Sequence, residues 1–271
     1  MTAVVARPSS VDLEPSLGAQ TWEMSKRAII ALARQPALVV PSLVFPLFFL
    51  ALGSSSFARA INLPGFPEVD SYLDFGVAGA IMQGVLFGSV TGAAALATDI
   101  ENGFFDRLIA SPVARPSIIV GRLAGAMAFG AAQTVFFLVV LLPFGLNVEG
   151  GVLGGLVLVA SGTLISLCVG ALMSMMALRT GSSEAVQGAF PLLFILLFFS
   201  SAFFPRQTMQ GVYGDLAGYN PVSYIIEGMR DIVIDGVSAW AVVRAVLIPA
   251  ALCVFTVLLA MRSMNKRLAR G

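Results

Sequence analysis

Histidine is absent from the 271 residues, so the usual general base and the commonest metal ligand are missing. Cys168 and Cys253 each fall inside an apolar run with no companion at metal-ligand spacing, and both read as small buried hydrophobes. A phosphate-cradling glycine loop needs lysine after glycine and before Ser or Thr. Neither Lys26 nor Lys266 has that context, so ATP hydrolysis by that route is excluded. Paired carboxylates inside a membrane would mark ion-coupled transport, but all fifteen acids lie at or beyond the ends of the apolar runs. No catalytic group, metal or cofactor is expected in the chain itself.

Two polar segments keep chemical character. The first, from Asp99 to Arg122, has an acidic start, Gly103, the paired Phe104 and Phe105, Asp106 and Arg107, and a proline-bounded basic end. It reads as a compact amphipathic element; a solvated connector is the alternative. Two aromatics exposed to cytosol with no fold of their own favour a protein partner. In the second, from Arg206 to Arg244, Asn220 suits a helix N-cap and Pro221 the first helical position. Val222, Ile225, Ile226, Met229 and Val233 follow at helical spacing, and Glu227, Arg230 and Asp231 share the opposite face. Glu227 and Arg230 have the spacing of a side-chain ion pair. The segment is too charged to span and too apolar for water, which predicts one or two short helices dipping into the outer leaflet.

The elements that must hold these segments are membrane helices. With 58% hydrophobic and 11% charged residues, the chain has too little polar surface to cover a water-soluble globule. Six charge-free runs, 35–58, 75–98, 123–148, 150–178, 185–205 and 245–261, can each hold one span of the ~20 residues a bilayer requires. With the N-terminus inside, Arg7, Lys26, Arg27, Arg34, Arg107, Arg115, Arg122, Arg179, Arg262, Lys266, Arg267 and Arg270 are cytosolic. Only Arg59, Arg206, Arg230 and Arg244 lie outside, a 12:4 split of the 16 basic residues that places both termini in the cytosol.

Residues 1–19 read as a disordered cytosolic tail with no cleavable signal, and 20–271 as one membrane domain. Gln20 to Arg34 reads as an interfacial amphipathic helix, with Trp22, Ile29, Ile30 and Ala33 toward lipid and Glu23, Lys26, Arg27 and Arg34 toward water; Pro36 breaks it from the first span. Gly76, Ala80, Gly84, Gly88 and Gly92 form a stripe of small residues that suits close helix packing, as do Gly162, Ser166, Gly170 and Ser174. Gln83 and Gln133 read as interhelical hydrogen-bonding groups.

Taken together, the chain resembles the membrane subunit of type-2 ABC exporters, notably permeases of the daunorubicin/doxorubicin-resistance kind. The resemblance is carried by Glu101, Gly103, Asp106, Leu108, Ser111, Pro112, Val113 and Arg115, by Asn220-Pro-Val-Ser-Tyr-Ile-Ile-Glu-Gly-Met-Arg230, and by the interfacial helix with Pro41 and Pro46 in the first span. Phe104 stands where the family has threonine and Arg122 where it commonly has lysine, and no second proline follows Pro205.

The resemblance implies an all-α polytopic protein of six transmembrane helices in a bacterial cytoplasmic membrane. Two such subunits, identical or not, would sit among lipid above two cytosolic ATPase subunits, which would bind the ATP and magnesium; no nucleic acid is implied. Asp99 to Arg122 would be the coupling helix, with Glu101, Gly103, Phe104, Phe105, Asp106 and Arg107 facing the ATPase. One of Glu101 and Asp106 would pair with a basic residue of the ATPase and the other would orient the segment. Asn220, Pro221, Tyr224, Glu227 and Arg230 would belong to the outer-leaflet helix. The cargo would be an amphipathic drug, lipid or natural product. A stand-alone channel or facilitator, a glycan exporter of the same family and an intramembrane enzyme are the alternatives.

Overall fold

The computed structural model describes residues 17–62, 64–110 and 115–268, and among these it is helical throughout, without strands. Helix α1 (Leu17–Ala33) ends just before Pro36, which occupies the first turn of α2 (Pro36–Ser56). A missing N–H is harmless in a first turn, where no partner carbonyl exists. Pro41 and Pro46 lie inside α2 without ending it. Pro46 cannot bond the Ser42 carbonyl, and α3 comes up against that exposed carbonyl at Gly84, where a Cβ would lie 3.2 Å from the oxygen.

Helix α3 (Tyr72–Glu101) is the central span, with 78% of its most apolar stretch buried by its own chain, against 22% for α2. Ser71 caps it by accepting the Asp74 N–H. After the corner comes the short helix α4 (Phe104–Ala110), then α5 (Arg115–Leu141) and α6 (Gly151–Thr180). Helices α3, α5 and α6 pack against one another, and α1 and α2 lie on their flanks. Among the described residues, five helices are long and apolar enough to cross a membrane: Val39–Ser56, Tyr72–Glu101, Ser117–Phe144, Gly151–Thr180 and Ala239–Arg267.

The run 185–205, expected as a single span, is instead two short helices, α7 (Ser183–Gly188) and α8 (Phe190–Phe198), bent at Ala189. Pro191 falls in the first turn of α8, where it starts a helix and cannot continue one. The run still passes from one end of α3 to the other, since Ser183 bonds Glu101 at the end of α3 and Ser201 shares Arg230 with Phe75 at its start. At ~1.5 Å per residue the helical part covers about 24 Å of a ~30 Å core, and the non-helical stretch after Phe198 completes it.

Two further helices follow, α9 (Gly211–Tyr219) and α10 (Pro221–Ile234). The final span begins earlier than the run 245–261, because Ser238 caps a helix at α11 (Ala239–Val242) that continues through a π turn at Val243–Leu247 into α12 (Ile248–Leu268). Arg244 therefore sits within this span, and an intramembrane charge of this kind requires a partner.

Of residues 1–19, expected as a disordered tail, 17–19 form the start of α1; residues 1–16 lie outside the described residues, as do Ser111, Pro112 and Val113 and the side chain of Ala33. Trp22, Ile29 and Ile30 on α1 are exposed. A third face of α1, unread in the sequence, meets α5: a Cβ at Gly121 would lie 3.1 Å from the Met24 carbonyl carbon, and one at Gly125 would lie 2.6 Å from the Ala28 Cβ. Two glycines four residues apart thus let one helix seat on the other.

Candidate functional site

The corner between α3 and α4 is made by Gly103, whose φ of +67° is the left-handed conformation that ends helices and that side chains disfavour. No atom lies within 4 Å of where a Cβ would sit there, so only the backbone conformation, not a steric neighbour within the chain, demands glycine. Helix α4 then folds back across the ends of its neighbours.

The expectation that both aromatics are exposed is corrected. Phe105 is 1% exposed and belongs to a cluster with Ile100, Ile118, Leu178, Val186 and Met264, which joins α3, α5, α6, α7 and α12. Phe104 is half-buried, with the Arg27 guanidinium 4.2 Å over its ring. A seven-residue helix lying across several helix ends buries whichever side faces them, and only the surrounding fold decides which side that is. Asp106 and Arg107 form the exposed face, with Asn102 beside them.

Charged side chains fasten this corner. Asp99 forms a close ion pair with Arg122 and a longer one with Arg27 at 3.7 Å, joining α3, α5 and α1. Glu101 accepts the Ser183 N–H at 2.7 Å and the Ser183 hydroxyl at 3.0 Å, which ties the end of α3 to the start of α7. On the same side, Arg179 Nε donates to the Ser263 hydroxyl at 3.1 Å and Arg267 to the Leu178 carbonyl at 3.1 Å. The sequence reading missed Asp99, Arg122 and Ser183 as partners, because their separations of 23 and 82 residues leave no local signal.

Removing the Glu101 charge weakens the clamp, which at this exposed position is expected to contribute about 1 kcal/mol. In Glu101→Gln, amide exchange across Ser183–Gly188 should accelerate by about fivefold, the equivalent of that energy. Unchanged exchange would mean that α7 is held by other contacts.

At the opposite end of the molecule, Asn220 caps α10 by accepting the Val222 N–H at 2.9 Å. Its amide also donates to the carbonyls of Leu196 and Phe199, both at 2.7 Å. The expected Glu227–Arg230 pair does not form. Glu227 pairs with Arg206 at 2.7 Å and Arg244 at 3.5 Å, and Asp231 pairs closely with Arg244. Arg230 turns inward to 4% exposure, donating to the carbonyls of Phe75 at 3.0 Å and Ser201 at 2.7 Å, with its guanidinium 3.6 Å over the Phe75 ring.

The cause lies in α8. A helix that stops short leaves carbonyls without partners, and where water is scarce those groups must find donors. Asn220 supplies them at Leu196 and Phe199, while Arg230 serves the turn that follows α8, its guanidinium fork also reaching the separate backbone of α3. Tyr224 donates to the Gly218 carbonyl at 2.8 Å, and its ring lies 4.5 Å beneath Arg206.

Asn220→Ala is expected to cost more than the ~1 kcal/mol of a lone cap, because two carbonyls lose their donor at about 1–3 kcal/mol each. Asn220→Ser should recover the cap and leave the carbonyls unpaired, giving an unfolding midpoint between wild type and alanine. A serine variant equal to wild type would reduce the role of Asn220 to capping.

The small-residue stripe on α3 splits. At Gly76 a Cβ would lie 2.5 Å from Leu50, and at Gly84 2.5 Å from the Phe137 ring. Ala80 is 5% exposed, and Gly88 faces Phe129 and Gln133, whereas Gly92 has nothing within 4 Å. Gln133 Nε2 donates to the Ser42 hydroxyl and the Gly84 carbonyl, both at 3.0 Å, joining α5 to α2 and α3. On the neighbouring helix, Gly162 meets Thr134 and Ser166 donates to the Ala126 carbonyl at 2.7 Å.

The profile of ABC-2 type transporters matches residues 19–234. Daunorubicin resistance ABC transporter permease protein DrrB1 of Streptomyces coeruleorubidus is 29% identical over 243 residues, covering 87% of this chain and 82% of that protein. The "Probable doxorubicin resistance ABC transporter permease protein DrrC" of Mycobacterium tuberculosis is 23% identical over 251 residues, covering 91% and 88%. The ycf38 protein of Pyropia yezoensis is 32% identical over 216 residues, covering 75% and 70%.

Proposed function

The chain belongs to the ABC-2 type transporter family and is a multi-pass membrane subunit of an ABC exporter, and on that premise we propose that it carries amphipathic molecules out of the cytoplasm on the stroke of a separate ATPase. Two copies of the ATPase would act beneath two permease subunits and bind the ATP and magnesium. Helix α4 would receive the stroke. The membrane would be the bacterial cytoplasmic membrane, with both termini inside.

One observation carries this reading: α4 is anchored from behind and open in front. Phe105 is locked into a cluster shared by five helices, Phe104 is tied to α1 through Arg27, and Glu101 holds the corner to α7. Asp106 and Arg107 remain exposed. A push on that face moves α1, α3 and α7 as one body, which is how rigid elements transmit a small displacement. Of the two acids, Glu101 thereby takes the orienting part and Asp106 the part of meeting the ATPase. The charge-free interior runs suit an amphipathic cargo.

Purification from the native membrane tests the assembly: a nucleotide-hydrolysing subunit should be retained in stoichiometric amount. Its absence would favour a stand-alone facilitator. Orientation is tested by cysteine labelling from outside, which should reach positions 67, 149 and 210 but not 102 or 181. Labelling at 102 would reject the topology.

A further inference from the structure

Next to the Arg27–Asp99–Arg122 cluster lies a cavity of about 500 Å³ within this one subunit, bounded by α1, α3, α5, α6 and the start of α8. Its existence follows from the stripe on α3. At Gly84 and Gly88 rings from α5 fill the space over the glycines, whereas no atom comes within 4 Å of a Cβ at Gly92. Gly92, Gly125, Gly170, Phe87, Phe129 and Phe190 contribute walls that are small or apolar. The volume falls within the ~300–1,000 Å³ range of small-molecule sites, which are mostly apolar with a few convergent polar groups.

One end of the cavity is charged. Arg27, Asp99 and Arg122 all line it, and two arginines against one aspartate leave one net positive charge. Asp99 is already engaged by Arg122 in the close pair, so Arg27, at 3.7 Å and 44% exposed in its side chain, holds the surplus. A surplus positive charge at the membrane interface, at the mouth of an apolar cavity, attracts an anionic group. A cationic head placed there would meet two arginines and an aspartate that is already neutralised.

We propose that this cavity binds one single-chain anionic amphiphile, its phosphate or carboxylate head against Arg27 and its chain along the Phe87 and Phe129 wall. The proposal goes beyond the exporter reading and requires neither an ATPase nor net transport, so its test reads neither.

The full chain in neutral detergent is titrated with 1-oleoyl lysophosphatidate and with 1-oleoyl lysophosphatidylcholine, and retention is counted by native mass spectrometry. The two probes share a chain and differ in headgroup and net charge. The first should bind about tenfold more tightly, the size of one charge-assisted contact. Arg27→Gln should bring the two probes to equal affinity. Gly92→Leu places a side chain in open space at a helical position that favours leucine over glycine, so the fold should survive while both probes are lost.

Inorganic phosphate at millimolar concentration should leave the lysophosphatidate in place. Displacement by phosphate alone would make this a free-anion site and overturn the amphiphile assignment. Equal retention of the two probes by wild type, or binding undiminished in Gly92→Leu, would overturn the proposal.

Discussion

Arg230→Met should leave little protein that survives detergent extraction as a monodisperse species. The arginine supplies donors to the carbonyls of Phe75, Ser201 and Ala202, on the first turn of α3 and the turn after α8. Methionine fills comparable volume and supplies none. The Phe75 carbonyl keeps its partner within α3, but each of the two turn carbonyls left unpaired costs about 1–3 kcal/mol, a large part of a total stability of about 5–15 kcal/mol.

Arg230→Lys should rescue only part of the loss, because an ammonium group makes one set of contacts and lacks the planar fork that bridges two segments and stacks on Phe75. Glu227→Gln and Asp231→Asn should be milder, since Arg244 lies within reach of both carboxylates. Thermal loss of the monodisperse peak ranks the four variants. A methionine variant as stable as wild type would mean that the carbonyls of the turn after α8 do not depend on this donor.

The second large effect is expected at the corner. Phe105→Ala removes a ring buried among helices α3, α5, α6, α7 and α12, a change that costs about 3–5 kcal/mol in protein cores. Here it frees α4 from the body it should drive. Gly103→Val places a β-branched side chain at φ +67°, a strained conformation worth about 1–3 kcal/mol, and so redirects α4. Both variants should insert normally, because the long apolar helices determine insertion.

In the reconstituted complex, cargo-stimulated ATP hydrolysis should fall about tenfold or more in each. Phe104→Ala forfeits only the Arg27 contact, of about 0.5–2 kcal/mol, and should retain most of the stimulation. Equal losses at 104 and 105 would contradict an anchor placed at Phe105.

What the sequence makes legible is what length and local chemistry encode. Charge-free runs locate five long helices, Pro36 marks the break after α1, and Asn220-Pro221 marks the start of α10. What it hides is long-range. The run 185–205 is as apolar as the other runs, and Pro191 is its one local mark of the bend at Ala189. Glu227 has a basic residue three positions on, yet it chooses Arg206 and Arg244, 21 and 17 residues away, because Arg230 is drawn inward by carbonyls of α3 and of the turn after α8. Helix periodicity alone does not separate Phe104 from Phe105. Their difference arises only when five other helices close around the second ring. The charge-free criterion likewise cut the last span at Arg244, since it has no means of knowing that two acids on α10 accompany that charge.

The central claim is that the exposed face of α4 meets the ATPase. A photo-cross-linking amino acid placed at position 106, and in a control at position 149, tests it in the assembled complex under ultraviolet light. Position 106 should give a covalent adduct with the nucleotide-hydrolysing subunit, and position 149 none. An intact complex that yields the adduct from 149, or none from 106, would contradict the account.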